Sequence, residues 1–520
     1  MQIIDNKALL LRLRNPHRVT SVIPKSKVIS QGAKATDPSE VLVHWTLETA
    51  QVLKNLGLKS VPSPILGKYK WPGMFKPFIH QRDTAAFMTL HRRAYCFSEP
   101  GTGKTSACAW AADYLMTLKA VRRVLVICPL SIMGAAWQSD LFKTLMHRSV
   151  AIAHGSREKR IKVIDSDAEF VIINFDGVEI VQNELKNGGF DLVIIDEANA
   201  IKTPTTKRWR AINSLIAADT WVWMLTGTPA SQSPTDAYGL AKMLQPSSVP
   251  QYFGSFRDQV MYKITQFKWA PKPFAKDIVF RTLQPAIRFT KEECLDLPEL
   301  LYTTRHVALT KQQIKYYDLL KKQFLVEAAG ESISAVNAAV AINKLLQISS
   351  GAVYTDTKSV IEFDISGRYA VLLEAIEESS HKVLIFVPFR HAINILEEKL
   401  IKDGYTVDVI HGGVSATNRT AIFQRFQTED TPRVLVIQPA AASHGVTLHA
   451  ANTVVWWGPV TSFETYAQAN ARVHRAGQKN PCLVVRLSGS RVEQQLYQAL
   501  EAREEHMFNL LDLYKEEMSL

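Results

Sequence analysis

The sequence predicts an α/β protein: two tandem parallel-sheet domains, a helical connector between them, and a small basic module at the N-terminus. Three observations carry this. Short apolar runs alternate with helical patterns over about 75–230, the alternation lapses over 231–360, and it then resumes. The runs are apolar at consecutive positions, as strands covered on both faces require. A chain of 520 residues also exceeds what one core organises, so several domains are expected.

Residues 1–72 form the basic module, with Lys7, Arg12, Arg14, Arg18, Lys25, Lys27 and Lys34 against Asp5, Asp37 and Glu40. Glu40 to Leu56 reads as a helix from its apolar spacing, ended by Gly57 and the turn-rich Val61-Pro62-Ser63-Pro64. Trp71-Pro72-Gly73 closes the segment. The first sheet domain spans 73–240, with strands expected at 94–97, 124–128, 150–152, 170–173, 191–195 and 221–225. The connector occupies 241–360, and the second sheet domain 361–500 has strands at 383–387, 406–410, 434–437 and 453–457. Residues 501–520 read as a C-terminal helix.

Chemistry enters after the first strand, in Phe97-Ser98-Glu99-Pro100-Gly101-Thr102-Gly103-Lys104-Thr105. Gly101 and Gly103 let backbone N–H groups turn around phosphates, with Thr102 between them. Lys104 supplies a positive charge, and Thr105 offers a hydroxyl to Mg²⁺. Ser106 to Leu118 reads as an Ala-rich helix whose dipole would face the same phosphates. The usual G-x-x-x-x-G-K-[ST] pattern has glycine where this chain has Ser98. Asp191-Leu192-Val193-Ile194-Ile195-Asp196-Glu197 is a buried-strand pattern ending in two acids, which places them at the carboxyl edge of a parallel sheet. There Asp196 is suited to hold Mg²⁺ and Glu197 to orient and deprotonate the attacking water. Together the two motifs point to nucleotide hydrolysis with Mg²⁺.

The formal net charge of +12 suits a polyanionic partner, although ordinary basic proteins share it. No apolar run is long enough to span a bilayer and the start resembles no secretory signal, so a cytoplasmic or nuclear protein without a membrane partner is expected. The cysteines Cys96, Cys108, Cys128, Cys294 and Cys482 are scattered without a C-x-x-C pair, which argues against structural zinc and a disulfide framework.

The motif order resembles the superfamily 2 helicase-like ATPases, and within them the Swi/Snf type. The string runs from Gln81 through the phosphate loop, Cys128-Pro129-Leu130-Ser131 with Trp137, Asp196-Glu197-Ala198-Asn199, Ile201-Lys202-Thr203-Pro204 and Leu225-Thr226-Gly227-Thr228-Pro229. It continues with Val383 to Phe389, His411-Gly412-Gly413, Gly445-Val446-Thr447-Leu448, and Gln468-Ala469-Asn470-Ala471-Arg472-Val473-His474-Arg475-Ala476-Gly477-Gln478. The last segment is the most diagnostic.

The resemblance implies two RecA-like lobes. It implies that the Gln81 amide pairs with adenine, that Thr226 and Thr228 sense the γ-phosphate, and that Gly445 and Gln468 complete the nucleotide contacts. It makes Arg472 and Arg475 arginine fingers that act when the lobes close. It also implies sequence-independent contacts to DNA, double-stranded or forked. These would come from Pro129-Leu130-Ser131, Asn174-Phe175, His411-Gly412-Gly413 and Ser443-His444-Gly445, each of which reads equally as an ordinary strand-to-helix turn. The basic module, with Trp45 or Trp71, would either grip branched DNA by stacking on bases or pack against the first lobe. Asn199, Ala442-Ser443, Thr447 and Ala471 depart from the family's usual His, paired glycines, Asn and Asp. The pattern is nearer to compact phage or bacterial relatives than to eukaryotic remodellers. The leading expectation is a DNA translocase with DNA-stimulated ATPase activity; the alternatives are a strand-separating DNA or RNA helicase and an ATP-gated DNA clamp.

Overall fold

The computed structural model describes residues 1–31, 37–230, 233–264, 269–294, 297–328, 335–354, 359–442, 446–475 and 477–502. The chain divides into two units, Met1–Cys294 and Leu295–Leu520. The expected helix at 501–520 lies outside the described residues beyond 502.

The first unit opens with an antiparallel sheet of β1 (Gln2–Ile4), β2 (Ala8–Leu13), β3 (Lys27–Ser30) and β4 (Ser39–His44), in the order β1-β2-β4-β3. Part of the stretch expected as one helix over Glu40–Leu56 is therefore strand. Val41, Val43 and Trp45 are buried at every second position, the period of a strand, and the helix Leu47–Asn55 begins only after Thr46. The Thr46 hydroxyl caps that helix by accepting from the Thr49 N–H at 3.1 Å. Trp45 is wholly buried among Leu9, Leu11, Val41, Val43 and Leu53, so it is unable to stack on a base.

The first parallel sheet comprises β5 (Arg93–Cys96), β6 (Val124–Cys128), β7 (Val150–Ala153), β8 (Phe170–Asn174), β9 (Leu192–Asp196) and β10 (Trp221–Leu225). A short hairpin of β11 (Met261–Lys263) and β12 (Trp269–Pro271) follows, and β13 (Ala286–Ile287) then returns to the sheet. Its order is β13-β5-β10-β9-β6-β8-β7, parallel throughout. The helices Ile79–Leu90 and Lys104–Thr117 pack on one face, where Met88, Trp110 and Leu115 meet Ala94, Val126 and Ile194. Asn174 and Phe175, expected in a DNA-facing loop, are buried instead, and the Asn174 Oδ1 accepts from Arg160 Nη1 at 3.0 Å.

In the second unit β14 (Leu300–His306), a small hairpin of β15 (Ala352–Tyr354) and β16 (Val360–Glu362), then β17 (Lys382–Phe386), β18 (Val407–Ile410), β19 (Val434–Ile437), β20 (Ala451–Trp456) and β21 (Cys482–Ser488) are the strands. Six of them form a parallel sheet in the order β14-β21-β20-β17-β19-β18. The stretch 241–360 thus gives one strand to each parallel sheet, β13 to the first and β14 to the second, besides its helices. Arg368, buried against Glu493 at 2.6 Å, ties the helix Ser366–Glu378 to the helical turn that follows β21.

Candidate nucleotide site

Three neighbouring strands end level at one edge of the first sheet. Leu225 of β10 pairs with Cys96 of β5 on one side and with Asp196 of β9 on the other. The chain leaving β5 is the glycine loop, the chain leaving β10 is Thr226-Gly227-Thr228, and β9 delivers Asp196 itself. Residues more than a hundred positions apart are therefore assembled by register alone.

Gly101 and Gly103 both have positive φ, 94° and 80°, a backbone region that costs a side chain but not glycine. A Cβ at Gly103 would sit 2.0 Å from Gln81 Nε2. The helix Lys104–Thr117 starts immediately afterwards, with Lys104 and Thr105 in its first turn. Lys104 Nζ donates to the Ser98 and Glu99 carbonyls at 2.7 and 3.2 Å, which holds the ammonium inside the loop. His80 and Gln81 brace the loop from the helix Ile79–Leu90: His80 Nε2 donates to the Thr102 carbonyl at 2.8 Å and Gln81 Nε2 at 3.3 Å. The Gln81 Oε1 meanwhile accepts from the Phe78 N–H at 3.0 Å. In this structure the amide expected to read adenine is committed to the loop backbone and to its own helix start.

Ser98 has a visible use. Its hydroxyl, buried, accepts from the Phe289 N–H at 3.1 Å, while Glu99 accepts from Arg288 Nη2 at 3.2 Å and from the Lys291 N–H at 3.1 Å. The segment after β13 thereby clamps the loop, and a glycine at 98 would lack the acceptor. Nothing in the sequence signals this, since the partners lie some 190 positions away.

Asp196 is the electrostatic centre. Burial pushes its carboxyl above the usual range, while the Lys104 charge, the Trp137 indole N–H and the Glu197 backbone N–H pull it back. Trp137 Nε1 donates to Oδ2 at 2.9 Å and the Glu197 N–H to Oδ1 at 2.9 Å. Trp137, itself wholly buried, comes from a π-helical turn over Met133–Gln138, a local irregularity of the kind that aims side chains into sites. The sequence includes Trp137 in the motif string but does not reveal this bond. Glu197 follows with φ 52°, a left-handed conformation uncommon for a side-chain-bearing residue. Two residues on, the Asn199 amide donates to Thr228 Oγ1 at 2.7 Å, joining the acidic segment to the loop after β10. The Thr226 hydroxyl accepts from the Thr228 N–H at 3.2 Å, and a Cβ on Gly227 would lie 2.8 Å from Pro100. Among the described residues no cluster of His, Cys, Asp and Glu forms a metal site by itself, so a cation here would depend on Asp196 with the Thr105 hydroxyl and its substrate's oxygens.

In the second unit the diagnostic segment is largely structural. Gln468, buried, donates to Glu464 Oε1 at 3.3 Å; the Asn470 Oδ1 accepts from Trp456 Nε1 at 2.9 Å; Gln478 Nε2 donates to the Ala451 carbonyl at 2.8 Å. Gln468 thus braces its own helix, Phe463–Asn470. Arg472 is buried, and Arg475 Nη1 donates to the Val446 carbonyl at 3.1 Å. Gly445 lies outside the described residues, together with Ser443, His444 and Ala476.

The family model described as the SNF2-related domain matches residues 80–352, and that described as the helicase conserved C-terminal domain matches 367–477. The first alone covers more than half of the chain. The chain belongs to the SNF2-related family of helicase-like ATPases. Among similar proteins, the Mycoplasma genitalium protein named uncharacterized ATP-dependent helicase MG018 is 26% identical over 78% of this chain and 39% of its own length. The Danio rerio chromodomain-helicase-DNA-binding protein 1-like is 24% identical over 80% of this chain and 42% of its own length. This SNF2-related chain therefore spans less than half the length of these relatives. The Sulfolobus solfataricus SWI2/SNF2 ATPase core, solved in complex with dsDNA, matches 84% of this chain and 93% of that one, at 22% identity and a TM-score of 0.43.

Proposed function

We propose that this SNF2-related chain hydrolyses ATP at the Lys104–Asp196 edge and uses the energy to move along double-stranded DNA, without sustained strand separation. The observation that carries the reading is the convergence of the glycine loop, the Thr226 loop and the buried Asp196 at the ends of three paired strands. Family membership and the words ATP-dependent helicase and DNA-binding in the relatives' names support it.

The site's residues divide the work. The N–H groups of Gly101 to Lys104 and the Lys104 ammonium would bind the β- and γ-phosphates, Lys104 exchanging its two carbonyls for phosphate oxygens. Thr105 and Asp196 would hold Mg²⁺, whose charge would offset that of the phosphates. A carboxylate raised by burial, whose charged form Lys104 and the Trp137 N–H favour, would gain further from that cation. Glu197 would take the proton of the attacking water, and the Asn199–Thr228 bond would carry the state of the acidic segment to the neighbouring loop. Arg472 and Arg475 would stabilise the transition-state charge, which makes turnover depend on the second unit. The amide of Gln81 would reach adenine only by releasing Thr102.

The net charge of +12 supports a phosphate-tracking partner, forked or continuous duplex, read without sequence. A bacterial or phage-infected cytoplasm suits such a substrate; among the described residues no helix is long and apolar enough to cross a membrane. The test is the steady-state ATPase rate without nucleic acid and with single-stranded DNA, duplex, forked DNA or RNA. Stimulation by duplex or fork is expected. Stimulation by single strands or RNA alone would replace the translocase with a strand-separating helicase.

A further inference from the structure

The helix that starts at Lys104 is gripped beyond its first turn by the chain leaving the N-terminal module. Trp110 Nε1 donates to the Pro72 carbonyl at 2.9 Å, and the rings of Trp110 and Trp71 meet edge-on at 5.9 Å. Tyr69 donates its hydroxyl to Asp113 and packs edge-on against Tyr114 at 5.7 Å and Trp71 at 5.2 Å. Asp113 is 2% exposed and is also held by Arg148 Nε at 2.6 Å and His147 Nε2 at 3.0 Å. Burial and the Asp113 charge keep the Tyr69 phenol protonated, and so a donor.

The same segment grips the helix that carries Gln81. The Arg82 guanidinium lies 5.6 Å from the Trp71 ring and donates through Nη2 to the Leu66 carbonyl at 3.2 Å. Toward the module, Lys68 Nζ donates to the Trp45 carbonyl, and a Cβ on Gly67 would strike the Trp45 ring at 2.7 Å. Trp71 has φ 51°, and Gly73, with φ 115°, lies where a Cβ would meet the Lys143 carbonyl at 2.6 Å. The segment is thus fixed at both ends, and its middle touches the two helices that present Gln81 and Lys104.

We infer that residues Tyr69–Gly73 are a positioning strap for the phosphate loop, whose contacts with the helix after that loop set the affinity for nucleotide; this rests on the nucleotide reading above. The physical argument is leverage. Trp110 and Asp113 lie six and nine residues from Lys104 on one helix, roughly 9 and 14 Å along its axis at 1.5 Å per residue. A hydrogen-bonded helix moves as a rod, so a strap that shifts one end shifts the first-turn Lys104 and Thr105 with it. Misplacing a positioned group by about 1 Å costs up to about 10²-fold.

The test uses the full chain. Affinity for a fluorescent ATP analogue with Mg²⁺, the KM for ATP, kcat and Tm are measured for Trp71→Ala, Trp71→Phe, Tyr69→Phe, Leu53→Ala and Lys104→Ala. Trp71→Ala is expected to weaken nucleotide binding and raise KM by about tenfold, with Trp71→Phe within about twofold of the parent. Leu53→Ala, wholly buried in the module core, should lower Tm without changing affinity. If Trp71→Ala does not fold, Tyr69→Phe decides, since it removes only the hydroxyl held by Asp113. Unchanged affinity in the strap variants, or an equal loss in Leu53→Ala, overturns the strap while Lys104→Ala still abolishes binding. Full affinity in Lys104→Ala overturns the nucleotide reading itself.

Discussion

Replacing Trp137 by phenylalanine tests the electrostatics of Asp196 without touching a group proposed to meet substrate. The change removes one indole N–H donating at 2.9 Å to a carboxylate that is 8% exposed, where water is poorly placed to replace it. A hydrogen bond to a charged group contributes about 1.5–3 kcal/mol, and about 1.36 kcal/mol corresponds to a tenfold change in rate or binding. If Asp196 acts as the carboxylate, kcat/KM for Mg-ATP should therefore fall by about 10- to 100-fold. The sign of the pH effect follows from the same bond. Burial already pushes this carboxyl up and Trp137 pulls it down, so losing Trp137 moves it further up. Activity requiring the carboxylate is lost as pH falls through that value, and the acid limb of the rate profile should move to higher pH. Packing loss at a wholly buried tryptophan adds about 1–3 kcal/mol of destabilisation, which Tm reports separately. A variant with lowered Tm but an unmoved acid limb and unchanged dependence on Mg²⁺ would refute the reasoning and leave Trp137 as packing alone.

Glu197→Gln should keep nucleotide and DNA binding while hydrolysing very slowly; normal single-turnover rates would remove Glu197 as the base. Arg475→Ala should leave nucleotide affinity near that of the parent while turnover drops by about 10³, and ATP hydrolysis surviving the change would exclude an arginine-finger role. His91 offers a stability test in acid. Burial chiefly, with the Lys54 charge, depresses its imidazole from the ordinary 6.5 to about 4, against the pull of the Phe87 carbonyl. Between those values the unfolded chain binds the proton and the folded chain does not, so stability is complete above about 6.5 and falls by roughly 3 kcal/mol as pH drops toward 4. Urea unfolding across that range should show the slope in the parent and a flatter one in His91→Phe; equal slopes would assign it elsewhere.

Local patterns in the chain specify its local parts. Consecutive apolar residues at 124–128, 170–173, 191–195, 221–225 and 434–437 marked strands covered on both faces, and those strands are present. The loop Gly101–Thr105 was legible because only glycine tolerates its positive φ. The alternation of Val41, Val43 and Trp45 is equally present in the letters, but Glu40–Leu56 also fits helical spacing, and only the Thr46 cap marks where the helix starts. The Cys482–Ser488 strand is less legible, because Arg486 interrupts its apolar run.

Which of these parts meet is a matter of long-range packing. Strand order is fixed by packing and crossover geometry, so no local pattern could say that β10 lies between β5 and β9 and levels Cys96, Leu225 and Asp196. The same holds for Trp137 on Asp196, Phe289 on Ser98 and Pro72 on Trp110. Each is a single hydrogen bond between distant segments, and a hydrogen bond leaves no period in a sequence. Burial separated look-alike residues too: Trp45 closes a core and Trp71 meets Trp110 edge-on, although the sequence leaves both equally open to stacking on bases or packing against the first lobe. A side chain's chemistry is written in the chain; what it faces is set by the long-range packing that removes it from water.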